Sequence, residues 1–144
     1  MPDLFVDIGC AAIGCFIVLG LLLHLRRRLA MGLERRSRPA ALRDAELIHI
    51  EKTFRTTGPV PIAAKLDRAY RLQSGQFVLV ELKTRWNGGP NFSDVIQLSA
   101  QRVALSAATG QTVAAEAFVL IARPGVRRTP VAHRVDLLSV HQVV

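Results

Sequence analysis

The sequence predicts an α/β protein in which a small mixed sheet flanked by helices is preceded by a single transmembrane helix. Three observations lead there. Residues 1–25 carry only Asp3 and Asp7 as charged side chains, whereas all 19 Lys and Arg lie at Arg26 or beyond. Beyond Pro39, segments that alternate with period two are interleaved with segments of helical period. Turn residues punctuate them at Gly58-Pro59, Gln73-Ser74-Gly75, Asn87-Gly88-Gly89-Pro90 and Arg123-Pro124-Gly125.

A length of 144 residues makes one domain the prior, and an apolar fraction of 50% excludes a disordered chain. Two cysteines exclude a disulfide-stapled mini-domain. Cys10 and Cys15 both lie in the apolar stretch, where five helical residues separate them by about 7.5 Å along the axis, too far to bridge. No thiol follows Cys15, which removes thiolate metal and redox sites from the rest of the chain.

Ile8 to Leu25 contain no formal charge. At about 1.5 Å per residue this run, with residues 4–7 at its margin, matches a hydrocarbon core of about 30 Å. Arg26, Arg27, Arg28, Arg35, Arg36 and Arg38 follow it. The positive-inside rule then gives a single-pass inner-membrane protein, anchored through residues 4–25, with its C-terminal part in the cytoplasm. A cleaved signal peptide would show the reverse order of charge and apolar run. The expected division is an anchor with an Arg-rich juxtamembrane segment over 1–38 and a folded domain over 39–144.

In the domain, Leu42, Leu47, Ile50 and Phe54 recur at helical spacing, so Ala41–Phe54 reads as an amphipathic helix. Ile62–Leu72 and Gln76–Lys83 alternate as strands around Gln73-Ser74-Gly75, which makes a hairpin. Ser93 with Asp94 behind it reads as an N-cap, and Val95–Thr109 as a helix closed by Gly110. Val113–Ala122 supplies a buried strand. Val131–Val144 fits either a strand or a short helix.

A three-residue hairpin loop with Gly75 left-handed pairs Leu72 with Gln76 and, further out, sets Asp67 opposite Glu81. A two-residue turn at Ser74-Gly75 would put Arg68 there instead. Opposed β-carbons lie about 4.5–5.5 Å apart, so two carboxylates repel unless a cation lies between them. Lys83, two residues beyond Glu81, shares its face. Acid opposite acid-x-lysine is what metal-assisted hydrolysis of a phosphodiester requires: hard oxygens hold Mg²⁺ or Mn²⁺, and an ammonium balances developing charge. Alone, E-x-K on a strand is ordinarily an exposed ion pair. Its conjunction with Asp67 at hairpin-matched spacing and with Gln97 on the next helix points to chemistry.

At these residues the sequence resembles the PD-(D/E)XK nuclease superfamily, the restriction-endonuclease-like fold, and most closely its RecB-like exonuclease branch. Leu66-Asp67 is similar to the aspartate motif, Glu81-Leu82-Lys83-Thr84-Arg85 to the (D/E)XK motif with the branch's Thr-Arg continuation, and Gln97-Leu98 to its Gln-Leu motif. The likeness covers Ala41 to Ala122. It implies a restriction-endonuclease-like sheet and Mg²⁺- or Mn²⁺-dependent hydrolysis of DNA. Asp67, Glu81 and the Leu82 carbonyl would be metal ligands, Lys83 the catalytic lysine and Gln97 a phosphate or water contact. For the family's first-helix acid or histidine there are three candidates, Glu46, His49 and Glu51. Gln101 stands where the branch often has a tyrosine, and no iron–sulfur cluster is expected.

Arg85 and Trp86 beside the Asn-Gly-Gly-Pro loop, Gln101 one turn after Gln97, and the basic cluster Arg123, Arg127 and Arg128 are the candidate nucleic-acid contacts. The expectation is therefore a membrane-anchored, metal-dependent deoxyribonuclease acting on DNA in preference to RNA. The alternative is a non-catalytic, membrane-tethered nucleic-acid-binding or assembly module of the same fold. Small-residue spacing at Cys10-x-x-x-Gly14 adds a homo-oligomer, or a place in a larger DNA-processing complex, as partner expectations.

Overall fold

The computed structural model describes residues 17–26, 31–32, 34–57, 60–86, 88–126 and 128–143. The chain divides into two compact units, Met1–Arg36 and Ser37–Val144. The first is helical over 17–26. The expected membrane span is corrected here: among the described residues no helix is long and apolar enough to cross a membrane. A helix over 17–26 reaches about 15 Å, half of a hydrocarbon core, and residues 4–16 of the expected anchor, with Cys10, Gly14 and Cys15, lie outside the described residues. The inner-membrane localisation rested on that span and falls with it.

The second unit is a five-stranded mixed sheet in the order β1-β2-β3-β4-β5. Its strands are β1 (Glu46–Thr56), β2 (Ile62–Arg71), β3 (Phe77–Thr84), β4 (Val113–Ala122) and β5 (Val131–Asp136). Helix α1 (Phe92–Thr109) crosses from β3 to the parallel β4, and every other neighbouring pair is antiparallel. Val131–Val144, which fitted strand or helix, supplies β5 and a short α2 (Val140–Val143).

The stretch read as the first helix is also corrected. Ala40–Leu42 is a single 3-10 turn, and Glu46–Thr56 is strand β1. Leu42 belongs to the turn, so the apparent helical spacing joined two elements. Ile48, His49, Ile50, Thr53 and Phe54 are β-branched or aromatic residues that lose side-chain freedom in a helix and fit a pleated surface. Helix α1 begins earlier than Ser93 suggests. Asn91 is its N-cap, and its N–H donates to Asp94 Oδ2 at 2.8 Å. Gly110 closes it in the left-handed region at φ 67°, where a residue with a side chain is strained.

Alternation along β3 builds the two faces of the sheet. Phe77 and Leu79 pack against Leu98, Ala104 and Leu105 of α1, while Val78 and Val80 face Leu42, Ala45, Tyr70 and Phe118 on the other side. Glu81 and Lys83 continue the parity of Phe77 and Leu79, so the sequence places them under α1. Leu79 is fully buried and Ile96, on α1, is 48% exposed. Replacing Leu79 with Ala removes packed methyl groups and leaves a cavity, which lowers stability by about 2–5 kcal/mol. The Ile96→Ala change stays within about 0.5 kcal/mol, and urea unfolding midpoints of the two variants measure the contrast.

Candidate active site

The hairpin holds the register of a three-residue loop. Leu72 N donates to Gln76 O at 2.9 Å, Gly75 lies at φ 86°, and the pairs run from Arg71↔Phe77 to Arg68↔Val80. There the ladder stops, one position short of Asp67 and Glu81. Instead of backbone, the Asp67 side chain meets β3: Leu82 N donates to its Oδ2 at 2.8 Å. Two irregularities mark the same level. The alternation of β2 slips, because Leu66 and Ala69 both pack on the α1 face, and Glu51 on β1 adopts φ 46°. Glu51 falls between the pairs Ile50↔Arg68 and Lys52↔Leu66, at the register level of Asp67. The sheet therefore opens into a fork between β2 and β3.

Glu81 stands at that fork with only 3% of its surface exposed. Its Oε1 accepts from Gln97 Nε2 at 2.6 Å and is bridged by Lys83 Nζ at 2.8 Å. Lys83 Nζ also donates to Gln97 Oε1 at 2.8 Å, so the three side chains form a closed triangle. Glu81 Oε2 accepts from Gln101 Nε2 at 3.0 Å, and the same amide nitrogen donates to the Lys65 carbonyl on β2 at 2.9 Å. One buried glutamine thus ties β2 to β3 where their own ladder has ended. Gln101 Oε1 is itself buried and has no hydrogen-bond partner among the described residues.

Asp94, which the sequence reading assigned only to the helix start, joins the site from the other side. Its Oδ1 accepts from Arg85 Nη2 at 2.8 Å and lies 3.9 Å from Lys83 Nζ. Burial opposes ionisation of Asp94, but the Arg85 hydrogen bond, the Asn91 N–H and the charges of Arg85 and Lys83 outweigh it and hold the carboxyl below its usual value. In the sequence Arg85 and Asp94 bracket one loop, each at the end of an element, but no local pattern says that they meet.

Of the three first-helix candidates, only Glu51 lies level with Asp67, and its carboxylate is 3.4 Å from Lys65 Nζ on the surface. Glu46 pairs with Arg71, opposite Phe77. The His49 ring packs edge-on to Phe54 and Phe77, with centroids 5.1 and 6.2 Å apart. Desolvation and then Lys52 push its pKa down. Phe77 is four residues from Glu81, about 13 Å along the strand. Gln101, at 1% exposure, sits inside the site rather than on a nucleic-acid surface. Arg85 is turned to Asp94, Trp86 is 73% exposed, Arg123 and Arg128 are exposed beyond the C-terminal end of β4, and Arg127 lies outside the described residues.

Among the described residues no three His, Cys, Asp or Glu side chains gather. The donor set for a divalent cation is accordingly two carboxylates and a carbonyl. In an extended strand a residue's carbonyl points to the same side as its N–H, so the Leu82 carbonyl faces the fork beside Asp67. Glu81 Oε2 keeps one lone pair beyond its bond to Gln101. These are hard oxygens, the donors that Mg²⁺ and Mn²⁺ take, and in chemical type the set fits such an ion.

No family model matches the chain, and no curated protein matches it. Among solved structures it is similar to the crystal structure of SSO0001, with a TM-score of 0.51 and 19% identity over 88% of this chain. The chain spans 55% of the length of that protein, and the likeness is one of fold.

Two outcomes follow from this geometry. Replacing Gln101 with Leu leaves a buried carboxylate oxygen and a backbone carbonyl without their donor, and lowers stability by about 2–3 kcal/mol in urea unfolding. The folded-state pKa of Asp94 lies below its unfolded value of 3.8, so its contribution is complete above that pH and is lost as pH falls through the folded value. Stability measured from pH 6 down to 2 therefore falls more steeply in the wild type than in Asp94→Asn.

Proposed function

We propose that the protein is a divalent-metal-dependent nuclease of PD-(D/E)XK type that hydrolyses DNA phosphodiester bonds. One observation carries this reading. Glu81, a carboxylate buried to 3% exposure, shares a closed triangle of hydrogen bonds with Lys83 and Gln97 and lies beside the fork where Asp67 leaves the ladder. Asp67, Glu81 and the Leu82 carbonyl would hold the ion. When bound, Mg²⁺ or Mn²⁺ would polarise the scissile phosphate and acidify a water molecule.

The chain's own residues supply the rest. Lys83 presents a fixed positive charge on the face where a phosphate would lie, balancing the charge that develops there. Gln97 orients the ammonium through its oxygen and the carboxylate through its nitrogen. Gln101 fixes Glu81 relative to β2, and Asp94 keeps a second negative charge near Lys83 and Arg85.

One observation favours a second reading, a non-catalytic nucleic-acid-binding or assembly module of the same fold. Lys83 already neutralises Glu81 at 2.8 Å, so the buried carboxylate is balanced without a metal. Cleavage separates the two readings. The full chain with linear or circular DNA in Mg²⁺ or Mn²⁺ is expected to hydrolyse DNA, and to stop in EDTA. Asp67→Asn and Lys83→Ala each slow hydrolysis by about 10²–10³ in protein shown by circular dichroism to be folded. Residual activity equal to wild type in Lys83→Ala rejects catalysis by this site, and salt-sensitive DNA binding without cleavage supports the second reading.

A further inference from the structure

The face that carries Lys83 does not end with it. In the parallel ladder Lys83 is paired with Ile121, and across the next antiparallel pair Ile121 is opposite Val131. The row Lys83, Ile121, Val131 thus runs across three neighbouring strands on the face that α1 covers, with strands about 4.8 Å apart. Ile121 and Val131 form walls of a cavity of about 610 Å³. Arg123, Val126, Arg128 and Thr129 from the β4–β5 connection, and Gly88 from the loop after β3, complete it. Its volume is that of sites that hold small ligands.

The lining divides by chemistry. Ile121, Val126 and Val131 are apolar, while Arg123 and Arg128 bring two guanidinium groups and Thr129 a hydroxyl. A ligand that satisfies both parts has an apolar ring and an adjacent anionic group. Two large aromatic side chains stand exposed at the same edge: Trp86 at 73%, two residues before Gly88, and Phe92 at 68%, at the start of α1. Arg85 N donates to Ala122 O at 3.0 Å, so Arg85 and Arg123 leave the sheet side by side, with Trp86 the next residue along. Exposed aromatics beside clustered arginines form a platform for unpaired bases and their phosphates.

We propose that this cavity is a subsite for one unstacked nucleotide of a single-stranded nucleic acid. Its base lies against Ile121, Val126 and Val131, and its phosphate on Arg123 and Arg128. A base held within a Watson–Crick duplex cannot enter, so the subsite selects single strands or frayed ends. The inference deepens the nuclease reading, because a strand seated here brings its next linkage towards Lys83, one strand away. Its test does not depend on cleavage.

Binding is measured on the full chain in EDTA by fluorescence anisotropy, using labelled decathymidylate, an abasic decamer of the same charge, and a blunt ten-base-pair duplex. Arg123 and Arg128 are exposed, so the R123A/R128A double variant should melt at the wild-type temperature. Decathymidylate is expected to bind at least about tenfold more weakly to the double variant, with the log–log salt slope shallower by about 0.7, the value for one neutralised phosphate. The abasic decamer is expected to bind wild type at least about fivefold more weakly than decathymidylate, since the contact of the base with the apolar wall is lost. Unchanged affinity in the double variant, equal affinity for the abasic strand, or preference for the duplex would each overturn the proposal. Binding of this kind without cleavage in Mg²⁺ leaves the subsite standing and removes the nuclease reading. Cleavage with binding unaltered by the double substitution does the reverse.

Discussion

A carboxylate taken out of water costs several kcal/mol unless its charge and its lone pairs are met by the protein. Glu81 is such a group, set by strand parity on the covered face of the sheet where Phe77 and Leu79 precede it. Much of what surrounds it serves to meet that cost. Lys83 gives the opposite charge, Gln97 and Gln101 give two hydrogen bonds, and α1 brings both glutamines down onto it. A core that needed only stability would place an apolar residue here, since a well-packed hydrophobic group commonly does as well as a buried pair. The presence of Glu81 and its partners where an apolar residue would serve stability is the physical ground for reading the site as functional.

The fork between β2 and β3 depends on the same group. Beyond Arg68↔Val80 the two strands are no longer paired, and two side chains take over. Asp67 accepts the Leu82 N–H that β2 would have taken, and Gln101 spans from the Lys65 carbonyl to Glu81. Opening the ladder exposes the Leu82 carbonyl beside Asp67 without leaving Glu81 bare. The positive φ of Glu51 lies at the same level of the sheet. Backbone in that region is costly for a residue with a side chain and persists where surrounding structure imposes it. Here it falls between two pairs of one unbroken β1–β2 register, level with Asp67.

Much of this could be read from the sequence, for identifiable reasons. The hairpin register follows from Gly75 and the alternation on either side, and with it the juxtaposition of the Asp67 and Glu81 positions. Gly110 marks the end of α1 because a left-handed residue is needed there. The first strand was misread because Leu42 happens to fall at helical spacing from Leu47, although a separate 3-10 turn holds it. The apolar run before Arg26 matched a bilayer in hydropathy and length, but the helix described over 17–26 covers only part of it. Gln101 and Asp94 were out of reach for a different cause. Their roles depend on which turn of α1 lies over which residue of β3, a tertiary relation that local pattern does not encode.

The central claim is that the oxygens around the fork form a seat for a divalent cation. Isothermal titration of the full chain with Mn²⁺, in the presence of a short oligonucleotide, tests it most directly. The account predicts saturable uptake by the wild type that disappears in Glu81→Gln, a change that keeps the shape of the side chain but removes its charge. No uptake by the wild type, or the same uptake by both proteins, would contradict it.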